Sequence, residues 1–371
     1  MSYITLNSAK LTHNFTFLDR LFAAHHIDWA IVGKLLCGNE QFLRVLLKIS
    51  DTEICDSRLS NLQVIKKISP QTTTIYIKPP AKRLVKDIVE FADVSFNTEI
   101  QTLAALSDEA VRQDKVHRVV LMVEMGELRE GIMVQNMVRF YAQVSEMPNL
   151  EVVGLGTNLN CLNGILPDRE KLIALKQCKE VLEEKFGHRI PFISGGSSVT
   201  VPLIFRGEVP PGINHFRVGE TLFFGTDVYG DTLISGMYSD VFTLTAEIIE
   251  LREKPKLPSG LAGTNLTGEK PVYPDEDRDR TSVRAIVDIG LLDIDHKNIA
   301  PILPGISIIG ASSDMLILDL DTNSAGYKVG DTIEFRMNYM AVLRAMNSDY
   351  VDKNVVSRIA APDLRILQNM N

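Results

Sequence analysis

Between Asn14 and about Gly225, short β-branched or apolar runs alternate with longer stretches whose apolar positions recur at three and four residues. That pattern predicts parallel strands joined by crossover helices. The strand candidates are Ile27–Gly33, Thr52–Ser57, Thr73–Lys78, Ala92–Asn97, Arg118–Met125, Leu150–Asn158, Pro191–Gly195 and His215–Phe224, with helical stretches such as Ile100–Gln113 and Arg169–Lys185 between them. Eight such repeats in roughly two hundred residues fit an α/β fold closed into a (β/α)8 TIM barrel. An open doubly wound sheet is the rival that the pattern leaves standing.

After Gly225 the texture changes to alternating runs, Thr243–Leu251, Ser282–Ile289, Ile306–Ile309, Met315–Leu320 and Thr332–Met337, separated by turn residues and with little helical periodicity. The expected division is a barrel over residues 8–238 and an all-β domain over residues 239–371, on which a strand from residues 1–7 packs. The connection Arg252–Arg280 carries Pro255, Pro258, Pro271, Pro274 and the charged run PDEDRDR. It reads equally as a solvated surface loop and as a functional one.

Composition narrows the partners. The 371 residues are 45% hydrophobic and carry a net charge of -8 with no basic stripe, which disfavours nucleic acid and points to a small-molecule substrate. No apolar run is long enough to span a membrane, and the opening MSYITLNSAKLTHNF has no basic cluster followed by an apolar stretch, so a cytoplasmic protein is expected. Cys37, Cys55, Cys161 and Cys178 are scattered, which predicts reduced thiols and no metal site.

Active sites of such barrels form at the carboxyl ends of the strands. The residues there include Lys34, Asp56-Ser57-Arg58, Asn97, the segment Glu124 to Arg129, Thr157-Asn158, Ser194-Gly195-Gly196-Ser197-Ser198, Arg217 and Gly219. A lysine at the mouth end of a buried strand has its amine drawn toward low dielectric, favouring the neutral nucleophile that imine formation needs. The alternative is a lysine that reaches out to solvent. The serine-glycine segment suits either a phosphate cradled by backbone N–H groups or an ordinary capped turn, and Gly219 lies where late barrel loops often bind phosphate.

Several stretches, taken in order, resemble a known family. They are Ala30 to Lys34 followed by Cys37-Gly38, Asp56-Ser57-Arg58 with Asn61-Leu62, Glu124 to Gly131, Gly154 to Leu159, Ser194 to Ser198, Phe216 to Glu220, and Gly310-Ala311-Ser312-Ser313-Asp314. The chain is similar over nearly its whole length to the fold-type III enzymes of pyridoxal 5'-phosphate (PLP), the alanine racemase group, and lies nearest its ornithine racemase branch. The resemblance implies PLP tethered to Lys34, which also serves as one proton-transfer base. It implies that Arg217 faces the pyridine nitrogen, leaving that nitrogen an acceptor and suiting the ring to reversible α-proton removal. Gly219, Glu220 through its backbone, Ser198 and its neighbour Ser197 match phosphate-binding positions. Arg129 matches an arginine near the cofactor phenolate and the substrate carboxylate. Arg58 and Asn158 complete the implied cofactor contacts.

The sequence also departs from the family. Gly38 stands where alanine racemases carry a tyrosine, Asn158 where they carry a histidine, and Gly260 to Asn265 contains no counterpart of their second catalytic tyrosine. The second base is therefore sought among Tyr273, Asp275, Asp314 and Tyr339, with Asp314 and Tyr273 taken forward. Glu124, Glu127 and Glu130 read either as contacts for a distal ammonium or as surface charges at a helix start. The implied activity is interconversion of the L- and D-forms of a free amino acid, a basic one such as ornithine, by a head-to-tail homodimer. Alternatives are an alanine or broad-specificity racemase, or a decarboxylase or lyase of the same fold. No cysteine follows Cys178 and only His296 lies in the second domain, which disfavours decarboxylase and metal-assisted aldolase chemistry. A non-catalytic PLP carrier usually has no such second domain.

Overall fold

The computed structural model describes residues 2–264, 268, 270 and 272–358; Asn265, Pro271 and the tail 359–371 lie outside the described residues. The chain divides into two compact units, Lys10–Ser239 and a second made of residues 2–9 with residues 240–358.

The first unit is a closed barrel. Its strands are β1 (Asp28–Val32), β2 (Ile54–Asp56), β3 (Thr74–Tyr76), β4 (Val94–Asn97), β5 (His117–Glu124), β6 (Leu150–Gly156), β7 (Phe192–Ser197) and β8 (His215–Val218). Each pairs in parallel with its neighbours in sequence, and β8 returns to β1 with Arg217 beside Ala30. The open-sheet rival is thereby excluded. Buried side chains from six of the strands, among them Ala30, Cys55, Ile75, Phe96, Val120, Met122 and Val153, form one cluster. They fill the interior, as small barrels require.

The eighth strand is shorter than its apolar run. His215–Val218 is extended, Gly219 leaves the strand conformation, and Glu220–Phe224 is a helix closed by Gly225 in the left-handed region. Thr221, Leu222, Phe223 and Phe224 are all buried, so this helix has no polar face to reveal its period.

The second unit contains an antiparallel sheet in which the long strand Phe242–Pro255 pairs with Thr281–Val287, Thr332–Met337 and the N-terminal strand Tyr3–Asn7. Its ladder with Thr281–Val287 reaches Pro255 opposite Thr281, so the two strands form a hairpin. Strands Ile299–Pro301 and Asp352–Val356 and the helix Tyr339–Asn347 were not foreseen. That helix is capped by Asn338, which accepts from Ala341 N at 3.0 Å, and buries Ala341, Val342, Ala345 and Met346. Among the described residues no helix is long and apolar enough to cross a membrane.

Two predictions follow from the barrel's packing. A Cβ on Gly196 would lie 2.2 Å from ring carbons of Phe216, so Gly196→Ala is expected to destabilise the protein by about 1–3 kcal/mol in denaturant melts, the usual penalty of overpacking. His117 is buried at the start of β5, 2.8 Å from Ser95 Oγ, and burial depresses its pKa from 6.5 to about 4. The unfolded chain therefore takes up this proton first as pH falls. Up to about 3 kcal/mol of stability should be lost between about pH 6.5 and 4, and the stability difference between wild type and His117→Gln should vary over that window and nowhere above it.

Candidate active site at the barrel mouth

β1 ends at Val32 and passes directly into the 3-10 turn Gly33–Leu36, so Lys34 stands on the first turn above the barrel. Its side chain is exposed, and the low-dielectric setting expected of a strand-end lysine is not supplied by the packing around it. Its neighbours are charged. The carboxyls of Asp56 and Glu220 both feel its ammonium.

Asp56 closes β2 and is 1% exposed. It accepts from Arg58 N at 2.8 Å and from Asn61 Nδ2 at 3.0 Å. Burial outweighs these bonds and the nearby lysine and pushes its pKa up to about 6. Arg58 engages Asp56 through its backbone, and its side chain is exposed. Gly38 has φ +74, and a Cβ there would lie 2.7 Å from Asn61 Oδ1. Asn61 thus fills the space that a side chain at position 38 would need.

Across the mouth, β7 runs two residues further than expected, to Ser197, and Ser198 begins the next turn. Ser198 Oγ accepts from Gly219 N at 3.3 Å and from Thr221 N at 3.2 Å. Both helix starts are thereby drawn to one place. Gly219 needs its missing side chain, because a Cβ would sit 3.1 Å from the carbonyl oxygen of Val32. The close approach sets this turn against the end of β1, two residues before Lys34. Glu220 is half-buried, and burial raises its carboxyl despite the lysine nearby.

Arg217 projects from β8 and is 5% exposed. Its Nη1 donates to the Ser194 carbonyl at 3.0 Å and to the Ser194 hydroxyl, and its Nη2 donates to the Thr157 carbonyl at 2.7 Å. The guanidinium also lies over the Phe96 ring at 5.0 Å. Burial lowers its pKa to about 10, which leaves it protonated at neutral pH. Asn158, half-buried, follows Thr157 directly.

Arg129 is exposed and clasped by both oxygens of Glu130, and its Nη1 donates to Cys161 Sγ at 2.7 Å. The charges of Arg129 and Glu130 both reach Arg217, so this pair belongs to the same mouth. Glu124 and Glu127 correct the reading of an acidic helix start. Glu124 accepts from Gly126 N and Leu128 N and folds its own turn. Glu127, buried, accepts from the backbone N–H groups of Cys161, Asn163 and Ile165 and pins the loop after β6.

Asp314 and Tyr273 belong to the second unit. Asp314 is exposed after the strand Ser307–Ala311 and, with Ser2, Asp288, Asp293 and Tyr350, walls a cavity of about 500 Å³. Tyr273 is exposed in the hairpin tip, where Asp275 pairs with Arg278 at 3.0 Å; Tyr339 is half-buried at its helix start. The sequence reading gave no role to Ser194, Phe96 or His215. Only the spacing of His215 and Arg217, two apart on one strand, hinted that both face inward.

The pattern of the alanine racemase N-terminal domain matches residues 6–227. The chain is 37% identical over 355 residues to an ornithine racemase of Acetoanaerobium sticklandii, covering 95% of this chain and 99% of that one. It is 31% identical over 352 residues to a lysine racemase of Thermotoga maritima, covering 94% and 97%. Its fold is shared with the alanine racemase of Clostridium difficile 630, at a TM-score of 0.74 and 14% identity over 96% of each chain. With its barrel, its mouth and these relatives taken together, the chain belongs to the alanine racemase family.

Proposed function

We propose that the protein is a PLP-dependent amino-acid racemase that interconverts the L- and D-forms of a free basic amino acid. The observation that carries this reading is the convergence at one barrel mouth of Lys34, the Ser198–Gly219 lacing and the buried cation Arg217. The donor set suits such a cofactor: an amine for its aldehyde, N–H groups and hydroxyls for its phosphate, and a guanidinium for its ring nitrogen. Thr157 Oγ1, buried beside Arg217, has no hydrogen-bond partner among the described residues, as befits an atom reserved for a bound group.

Bound there, PLP supplies an electron sink that acidifies the substrate's α-proton. Lys34 would tether the cofactor, and its free amine would remove or return that proton on its own face. Ser197, Ser198, Gly219 and the Glu220 backbone hold the phosphate, and Arg58 and Asn158 flank the cofactor. Arg129, oriented by Glu130, offers its fork to the substrate carboxylate. Racemisation needs a second base on the opposite face. We assign it to the β unit of the partner in a head-to-tail homodimer, with Asp314 and Tyr273 as its candidates. Relatives named for ornithine and lysine support a basic substrate.

The test is incubation with a panel of L-amino acids in deuterated water, following α-proton exchange and loss of optical rotation together. Exchange with racemisation of ornithine or lysine is expected, whereas carbon dioxide release or cleavage to an aldehyde would overturn the reading. Borohydride reduction and peptide mapping should leave the cofactor on Lys34, and Lys34→Ala should lower racemisation by about 10²–10⁴-fold. A label on any other residue sinks the tether.

A further inference from the structure

Arg217 rests on a column of polar groups that descends through the barrel. His215 precedes it by two residues on β8, so both side chains share the strand's inward face, one layer apart. Ser194 of β7 lies between them. Its hydroxyl accepts from Arg217 Nη1 and meets His215 Nδ1 at 2.6 Å. Below, His215 Nε2 has no hydrogen-bond partner among the described residues, and Glu53 Oε2 stands 3.5 Å away. Ser194, His215 and Arg217 are 0%, 3% and 5% exposed.

A guanidinium has no acceptor, so Ser194 Oγ receives its hydrogen bond and keeps one hydrogen to give, with His215 Nδ1 in reach. With the ring proton on Nδ1, Ser194 Oγ would accept twice; the tautomer that takes its hydrogen on Nδ1 carries the ring proton on Nε2, facing the Glu53 carboxylate. Every hydrogen bond then runs from the mouth toward the base. With Nη1 spent twice on Ser194 and Nη2 once on Thr157, the N–H groups of Arg217 left for a ligand are Nε–H and one on Nη2.

We propose that Ser194 and neutral His215, backed by Glu53, are positioning residues that lock the guanidinium of Arg217 in the orientation from which it donates to the cofactor ring. The inference rests on the reading of Arg217 given above.

A second proton on His215 would reverse the column. Nδ1–H would point at Ser194 Oγ, the serine hydrogen would be turned away, and an imidazolium would stand beneath the guanidinium. The charged groups around the ring are Glu53 just before β2 and Asp28 on β1, which favour protonation, and Arg217 on its own strand, which opposes it. Asp19 and Asp51 line the same cleft at the foot of the barrel. Burial outweighs them all and keeps His215 below its ordinary 6.5. The column is therefore intact at neutral pH and is lost as pH falls through the lowered value.

Three variants of the PLP-loaded protein test this. His215→Asn keeps an acceptor near the Nδ1 position and does not titrate. His215→Leu removes the acceptor, and Ser194→Ala breaks the column while leaving ring and barrel packing in place should the leucine variant fail to fold. Leucine and alanine are each expected to lower kcat by about tenfold, the scale of one charge-assisted hydrogen bond, with KM changed less. They should also weaken PLP binding, read as a dissociation constant by fluorescence, and shift the bound cofactor's visible absorption. Asparagine should restore the binding constant and the spectrum and shift the acid limb of kcat expected of wild type. Leucine and alanine variants equal to wild type in binding constant and spectrum would overturn the column, as would an unchanged acid limb in His215→Asn. A wild type that binds no PLP or racemises no amino acid fails at the earlier step and overturns the functional reading itself.

Discussion

A guanidinium buried inside a protein must have its hydrogens accepted, and much of the barrel mouth is arranged around that requirement. Arg217 is served by main-chain carbonyls from two different strands, those of Thr157 just past β6 and Ser194 within β7. The Ser194 oxygen uses both lone pairs, because it also accepts from Thr157 N at 3.1 Å. The pairing of β8 with β7 is irregular beside it. His215 stands opposite Ser194 but Phe216 stands opposite Gly196, so Gly195 is an extra residue and the strand bulges. Glycine at 196 then permits the Phe216 ring to lie against the bare backbone. The serine-glycine segment is thus needed three times over, to carry the bulge, to admit the phenylalanine and to place the Ser194 hydroxyl.

The barrel was legible because parallel strands covered on both faces are short apolar runs, and the intervening helices keep a 3.6-residue period. Legibility failed where burial erases contrast. Leu222, Phe223 and Phe224 are apolar on every side, and a run of that kind extends a strand as readily as it makes a helix. In the β unit the helix Tyr339–Asn347 spans little more than two turns, too few to outweigh the alternating runs before it. The hairpin tip followed a different rule. Strand Phe242–Pro255 continues beyond the last apolar residue because Lys254 and Pro255 still face Ser282 and Thr281 across the ladder, a pairing that local sequence does not announce.

The mouth residues were readable by position, since a barrel brings every strand end to one rim. Lys34, Ser198, Arg217 and Gly219 are indeed assembled there. What each touches was not readable. Glu127 looked like a surface charge from its neighbours in sequence, but it is buried under three N–H groups from residues more than thirty positions later. The missing tyrosine at Gly38 has a similar explanation, because Asn61, from the helix Leu59–Ile68 after β2, occupies the room. Long-range partners fix these roles, and only the fold determines which residues become partners.

Charge balance separates Arg217 from the other cations of the mouth. Arg129 is clasped by Glu130, and Lys34 is flanked by Asp56 and Glu220. The hydrogen-bond acceptors around Arg217 are neutral, and the charge of Glu130 is opposed there by that of Arg129. Desolvation accordingly dominates and lowers its pKa to about 10. A carboxylate in place of Ser194 would pair with the guanidinium and neutralise the field at the mouth. Neutral acceptors hold the group in place and leave its charge directed outward. That arrangement suits a partner that accepts a hydrogen bond without taking a proton, which is the demand an unprotonated ring nitrogen makes.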